Sequence, residues 1–452
     1  MKSVNPATGE VLRTFEPHDP AEVERRVQAA ASAFGPWSAR TFDERAHVLW
    51  RCGVLLRERA KDLGALMTSE MGKPLDQAVA EVTKCAMACD HYAEHAASLL
   101  AMEAVNSKAP ATRIAYEPLG VILSIMPWNF PFWQVWRFAA PALMAGNTVL
   151  VKHAPNVLGC SEAIVQLARD AGVPAGVLDQ VRVDVEGTGA LVEHPAVAAV
   201  TLTGSDRAGR SVAARAGKAL KKTVLELGGS DPFIVLPDAD LEHTVAQAVA
   251  ARCQNSGQSC CAAKRFVVHR DIAEAFLGAF VQAMRDQVVG DPTHPDTAIG
   301  PLARQDLRDQ LHEQVRASVA AGALVACGCE PVDGPGWFYP PTVLVDVPEG
   351  SPAADEELFG PVAAVFVVDS EDQAIRVANH TRFGLAASLW TEDREHAMDL
   401  ARRIQAGGVF VNSMPFSDPR QPFGGVKDSG YGRELGLFGI REFVNVKTLA
   451  VF

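Results

Sequence analysis

Three side chains suited to thiol-based acyl chemistry stand at the ends of expected elements. Cys260 lies in SGQSCCAAKR (256–265), after a helix expected over 241–255 and a Ser-Gly-Gln-Ser turn. A glycine there lets backbone approach closely, and N–H groups near a thiolate lower its pKa. Glu226 ends the apolar strand TVLEL and is followed by Gly228 and Gly229. A carboxylate so placed in an apolar cleft is raised toward neutrality, as a general base requires. Asn129 sits in PWNFPF (127–132), just after the strand VILSI. Its amide can donate to a developing oxyanion, and the flanking prolines stiffen the turn that carries it. A fourth segment, LTGSDRAG (202–209), frames a strand-to-helix turn with Gly204 and Gly209 and puts Ser205 at the helix start, where phosphates bind. It lacks the Lys-Ser/Thr of a Walker loop, and the G-x-G at Gly187 and Gly189 lacks the third glycine of a dinucleotide fingerprint. Taken singly, each has a plainer reading: a buried cysteine pair, a solvated strand-end glutamate, a proline-rich turn.

The surrounding pattern must hold these groups in place. Residues 19–100 read as helical: DPAEVERRVQAAASAF opens on Asp19 as N-cap with Pro20 at the first helical position, and a later helical stretch ends at Gly72. From about residue 120 short apolar runs alternate with helices. The runs are VILSI, TVLVK (148–152), DQVRVDV, AVAAVTLTG (196–204) and KKTVLELGG (221–229), with PFWQVWRFAAPALMAG as a helix ending at Gly146. Such βαβ alternation specifies a parallel, doubly wound sheet. A second set follows Gly229, with strands PFIVL, RFVVH, ALVAC, AAVFVV, AASLW and GGVFVN. ATRIAYEPLG (111–120) and the C-terminal KTLAVF fall outside both sets and read as extended arms for intersubunit pairing.

Composition narrows the function. The 452 residues are 48% hydrophobic and 21% charged, with a net charge of -12, a globular chain without the basic face that nucleic acid requires. The N-terminal MKSVNPATGEVLRTFEP has no signal-peptide pattern, and no run of about 18 apolar residues offers a membrane span. Nine cysteines in a chain of this length are not a disulfide framework, and neither Cys85/Cys89 nor Cys327/Cys329 has zinc-site spacing. The expectation is a cytoplasmic protein with reduced thiols and no metal.

Together and in order, PWNFP, TLTGS, LELGGS, GQSC, EELFGPV (356–362) and PFGGVKDSGYGRELG (422–436) resemble the signature segments of the aldehyde dehydrogenase superfamily, over nearly the whole chain. The resemblance implies an α/β fold with a Rossmann-like coenzyme domain (1–107 and 120–228), a second α/β catalytic domain (229–430) and a small β oligomerisation arm (108–119 and 431–452). It implies Cys260, not Cys261, as nucleophile, Glu226 as base, and Asn129 with the Cys260 N–H as oxyanion hole. Trp128, Gly204, Ser205, Gly228, Glu357 and Phe359 would line the coenzyme site, and Lys152 would reach the adenine ribose. Cys261 would pack, and oxidation at Cys260 would inactivate. The partner is a small aldehyde, with a homodimer or homotetramer as the assembly. A cysteine hydrolase or acyltransferase, a silent homologue and a coenzyme A-acylating relative are the competing classes.

Arg137, in PFWQVWRFAAPAL, resembles the arginine-bearing tunnel position of relatives that oxidise succinate semialdehyde, where it would take a substrate carboxylate by a bidentate fork. The run SDPR before PFGG points the same way and makes Ser417 a second carboxylate contact. Gln254 stands where some enzymes of that activity carry another arginine, which leaves glutarate semialdehyde and uncharged aldehydes open. The run Lys152-His153-Ala154-Pro155 has no carboxylate to repel a 2′-phosphate, so both NAD and NADP are expected to work, with a lean to NADP.

Overall fold

The computed structural model describes residues 1–452. Its two large sheets follow the two sets of apolar runs. The first sheet has six strands in the spatial order Gly430–Tyr431, Lys222–Glu226, Val197–Thr203, Val121–Met126, Thr148–His153 and Leu178–Gln180, parallel except for the first. The chain runs outward in one direction from Val121–Met126 and in the other from Val197–Thr203. A crevice therefore opens beyond the carboxyl ends of those two strands, as such a reversal dictates. The turns that leave them carry Asn129 and Ser205.

The second sheet has seven strands, with Asp231–Val235, Ala263–His269 and Val362–Val368 near its centre and the antiparallel Leu324–Cys327 at one edge. Phe233, Phe266, Phe280 and Trp390 fill one face, which covers the strand whose first residue follows Cys260 by three positions. The third sheet has three strands, Glu103–Ala104, Ala111–Pro118 and Val444–Val451.

Local signals at the helix ends hold. Asp19 accepts from the Glu22 N–H, Thr41 and Glu44 form a capping box, and Gly72 and Gly146 close helices in the left-handed region. Three expectations shift. DQVRVDV keeps only Leu178–Gln180 as strand, because Asp184 caps a helix Val185–Glu193 that contains Gly187 and Gly189. The small sheet begins at Glu103, before the expected boundary at 108, since Glu103 is held by Tyr116 and Arg441. Tyr431 pairs with Leu225 in the first sheet and not with the arm.

The helix Leu75–Leu99 packs against Phe42–Glu58 and Trp133–Ala145, and its buried face is largely Ala, Cys and Val. The polar side chains along that region recur at helical spacing: Lys73 just before the helix, then Gln77, Glu81 and Lys84. Lys73 and Glu81 form an ion pair, both almost wholly buried. Glu81 Oε1 also accepts the N–H groups of Phe132 and Trp133, at 2.9 Å each, and so caps the helix that follows the Asn129 turn. Removing one partner from a buried pair strands the other charge. Glu81→Gln is therefore expected to lower unfolding free energy by about 3–5 kcal/mol in a denaturant titration, and adding Lys73→Met is expected to recover part of that loss.

Candidate active site

Cys260 is presented by a turn that the backbone would not adopt unaided. Asn255 (φ 54°, ψ 39°) and Ser256 (φ 54°, ψ 32°) are both left-handed, and Gly257 continues at φ 74°. Only Gly takes this region freely, so the run stores strain that its surroundings must hold. The Asn255 N–H donates to Gln77 Oε1 at 2.7 Å, and Asn255 Nδ2 donates to the carbonyls of Asn129 and Gln258 at 2.8 and 3.0 Å. Ser256 donates to Gly300 O, Arg252 to Gly257 O, and Ala303 N–H to Gln258 Oε1. At Gly257 a Cβ would collide with the backbone of Gly360.

Asn129 is buried, and its Nδ2 donates to Gln258 O at 3.2 Å, two residues before Cys260. Lys264 closes the far side of the turn, with its Nζ donating to Ser259 O (2.8 Å) and Cys260 O (2.6 Å) and lying 3.4 Å from Glu357 Oε1. Glu357 also accepts the Gly229 N–H at 3.0 Å, and a Cβ on Gly228 would collide with its other oxygen. Trp128 meets Phe359 edge to face, with centroids 5.6 Å apart.

One cleft of about 560 Å³ has Trp128, Asn129, Gly204, Ser205, Gly228, Cys260, Glu357 and Phe359 all on its wall. The sequence did not single out two others there, Asp206 and Arg382, which form an ion pair at its rim. Glu226, Lys152, Arg137, Ser417 and Cys261 are not on that wall. Lys152 is half-buried on the strand Thr148–His153, and burial lowers its pKa while Asp184 opposes this. His153 beside it faces Pro131 O at 2.9 Å, and burial lowers it to about 4, so it is neutral.

Arg137, expected to fork a substrate carboxylate, has partners within the protein. Its Nε pairs with Glu434, its Nη2 donates to Thr203 Oγ1 at 3.3 Å, and its guanidinium lies 4.9 Å from the Phe423 ring centroid. Arg137 and Glu434 are both buried, so the arginine charge is already neutralised inside the protein. Glu434 belongs to the signature run 422–436 but was given no role in the sequence. Glu226 lies in the same buried network, with both carboxylate oxygens lacking partners and Gly424 packed so closely that a Cβ would lie 2.6 Å from Oε1. Burial, and then the neighbouring Glu434, hold the Glu226 carboxyl well above the usual carboxylate range, against the pull of Arg137.

The two adjacent thiols are electrostatically unequal. Their mutual hydrogen bond, and then burial, push Cys260 up, while Arg137 and Lys264 oppose. The same hydrogen bond brings Cys261 down to about 6, helped by Ser259, Lys264 and Lys84. Charge alone thus favours Cys261 as the resting thiolate, whereas access favours Cys260, the thiol that faces the cleft.

This geometry has known counterparts. A model of the aldehyde dehydrogenase family matches residues 1–449. The chain is 49% identical over 447 residues to the succinate semialdehyde dehydrogenase [NAD(P)+] of Escherichia coli, covering 99% of this chain and 97% of that enzyme. It is 50% identical to a probable succinate-semialdehyde dehydrogenase [NADP(+)] of Synechocystis, covering 99% of each.

The chain belongs to the aldehyde dehydrogenase family.

A solved succinic semialdehyde dehydrogenase of Streptococcus pyogenes, in complex with NADP+, superposes with a TM-score of 0.98 at 34% identity, covering 100% of this chain and 99% of that one. In this aldehyde dehydrogenase the Gly360 backbone leaves no room for a side chain at 257. Gly257→Ala is expected to cost about 100-fold in kcat, because a displacement on the order of 1 Å at a nucleophile has that effect, and to lower the thermal midpoint. Steady-state kinetics and calorimetry on the same preparation check both.

Proposed function

We propose that the protein oxidises succinate semialdehyde to succinate with NADP+ or NAD+, through a covalent adduct on Cys260. The observation that carries this reading is the single cleft wall shared by Cys260, Asn129 and the expected coenzyme residues. The printed activities of the relatives point to the substrate.

A dinucleotide fits this cleft. Gly228 leaves a cradle that a Cβ would fill, and the helix Asp206–Lys218 starts behind Ser205, where a pyrophosphate is favoured. Glu357 and Phe359 would hold the nicotinamide ribose and ring. Lys152 would reach the adenine ribose, and its charge suits a 2′-phosphate, so the reading leans to NADP. The bound coenzyme supplies the acceptor for the hydride lost from the Cys260 adduct.

The chain's own residues do the rest. The Cys260 thiolate adds to the aldehyde carbon. Asn129 Nδ2, already oriented by Gln258 O, and the Cys260 N–H stabilise the oxyanion. A thioester on Cys260 then remains, and Glu226 takes the proton from the water that hydrolyses it. Glu226 has no competing hydrogen bond to break before it does so.

The reading extends to assembly and setting. The outer strand Val444–Val451 exposes Val446, Leu449 and Val451, an apolar edge suited to a second copy of the chain. All nine cysteines are free, as a reducing cytoplasmic compartment would keep them. No helix is long and apolar enough to cross a membrane.

Three outcomes are expected. Cys260→Ala abolishes coenzyme reduction with succinate semialdehyde, followed by ultraviolet absorbance, while Cys261→Ala retains it; activity in the first variant contradicts the reading. Glu226→Gln gives one burst of reduced coenzyme and then stalls at the thioester. Because burial raises the Glu226 pKa, the wild-type hydrolysis rate falls as pH drops through that raised value, an acid limb well above the ordinary carboxylate range. A single-turnover pH series checks this limb, which Glu226→Gln should lack.

A further inference from the structure

Beyond the coenzyme cleft, near Cys261, a cluster of hydrogen-bond donors has no anion. Lys84 Nζ donates to Ser417 Oγ at 2.9 Å, across 333 residues of sequence. Trp133 Nε1 donates to the same oxygen at 3.0 Å. The ammonium lies 4.4 Å from the Trp133 ring centroid. No carboxylate pairs with Lys84, in contrast to Lys73 on the same stripe, which has Glu81. Asp418, next to Ser417, is taken by Arg420 through its side chain and N–H.

A serine hydroxyl has two lone pairs and one proton. Both lone pairs of Ser417 are used by Lys84 and Trp133, which leaves its O–H without an acceptor. The Lys84 ammonium keeps further N–H groups beyond the one given to Ser417. A carboxylate would accept from both. The side chain is largely desolvated: burial lowers the Lys84 pKa, with Cys261 the leading opposing charge and Arg137 a like charge nearby. An anion in such surroundings is bound far more strongly than at an exposed lysine. Lys84 and Cys261 each shift the other's pKa through their charges.

We propose that Lys84, with the Ser417 hydroxyl, anchors the distal carboxylate of the substrate, as a cation additional to Arg137, whose Nε is paired with Glu434. The inference rests on the semialdehyde reading above and adds the cation that reading lacked.

The test compares succinate semialdehyde with butanal, an uncharged aldehyde of equal carbon number, as a ratio of kcat/KM values. Such a ratio does not depend on the fraction of each variant that folds. Lys84→Met is expected to lower the ratio by about 10–100-fold, the usual effect of removing a charged hydrogen-bonding partner, mostly through KM for the semialdehyde. Ser417→Ala should lower it less, and Lys84→Arg should restore part of it. Succinate, measured as an inhibitor of butanal oxidation, should weaken in Lys84→Met by a similar factor. A wild-type preference for the semialdehyde that survives Lys84→Met overturns the anchor alone. No preference in the wild type overturns the substrate reading, and the anchor with it.

Discussion

The left-handed turn Asn255–Gly257 is the constraint on which the site depends. It sets where Cys260 points, and it persists because groups from both halves of the molecule hold it. Gln77 reaches it from the long helix, the Asn129 turn meets it through Asn255, and Gly300 and Ala303 grip it from the second domain. The hydrogen bonds that relieve its unpaired backbone groups are the same ones that bring Asn129 beside the nucleophile. Strain and preorganisation are thus one feature: the energy stored in the two left-handed non-glycine residues, Asn255 and Ser256, is offset by contacts that also assemble the oxyanion site.

Behind that turn lies a buried network of charge. The charges of Glu434, Glu226 and Cys260 all raise the Arg137 pKa, and the arginine in turn lowers each of theirs. A single cation among two carboxyls and a thiol cannot neutralise all of them. Glu434 takes it directly, which leaves Glu226 without a hydrogen-bond partner and held well above the usual carboxylate range, as suits a general base. The helix Leu75–Leu99 organises the opposite side. Its polar stripe serves in turn the oxyanion turn through Glu81, the catalytic turn through Gln77 and the Ser417 loop through Lys84.

Much of this was legible in the sequence, for physical reasons. Helix ends were readable because capping is local: Asp19, Gly72 and Gly146 do what their side chains, or the lack of one, dictate. The crevice was readable because βαβ order fixes where a parallel sheet reverses. Asn129, Ser205, Gly228 and Cys260 meet at one cleft because each follows the end of a strand or helix that borders it, whereas Glu226 lies off its wall. What was not legible was pairing between residues far apart in the chain. Nothing local shows that Arg137 meets Glu434, or that Lys84 meets Ser417. The signal that would have drawn attention to Lys84 was the spacing of Lys73, Gln77, Glu81 and Lys84, a polar stripe on a helix whose buried face is otherwise apolar. DQVRVDV misled because its alternation is real but Asp184, a strong N-cap, claims its end for a helix.

The account turns on which of two adjacent thiols reacts, since the neighbouring thiol and the nearby lysines favour Cys261 as the thiolate, against its burial, while the cleft exposes Cys260. The direct measurement is mass-spectrometric mapping of the enzyme quenched with acid after one turnover of succinate semialdehyde, with Glu226→Gln used to hold the thioester. The account predicts a succinyl group on the sulfur of Cys260 and an unmodified Cys261. A succinyl group on Cys261, with Cys260 free, would contradict it.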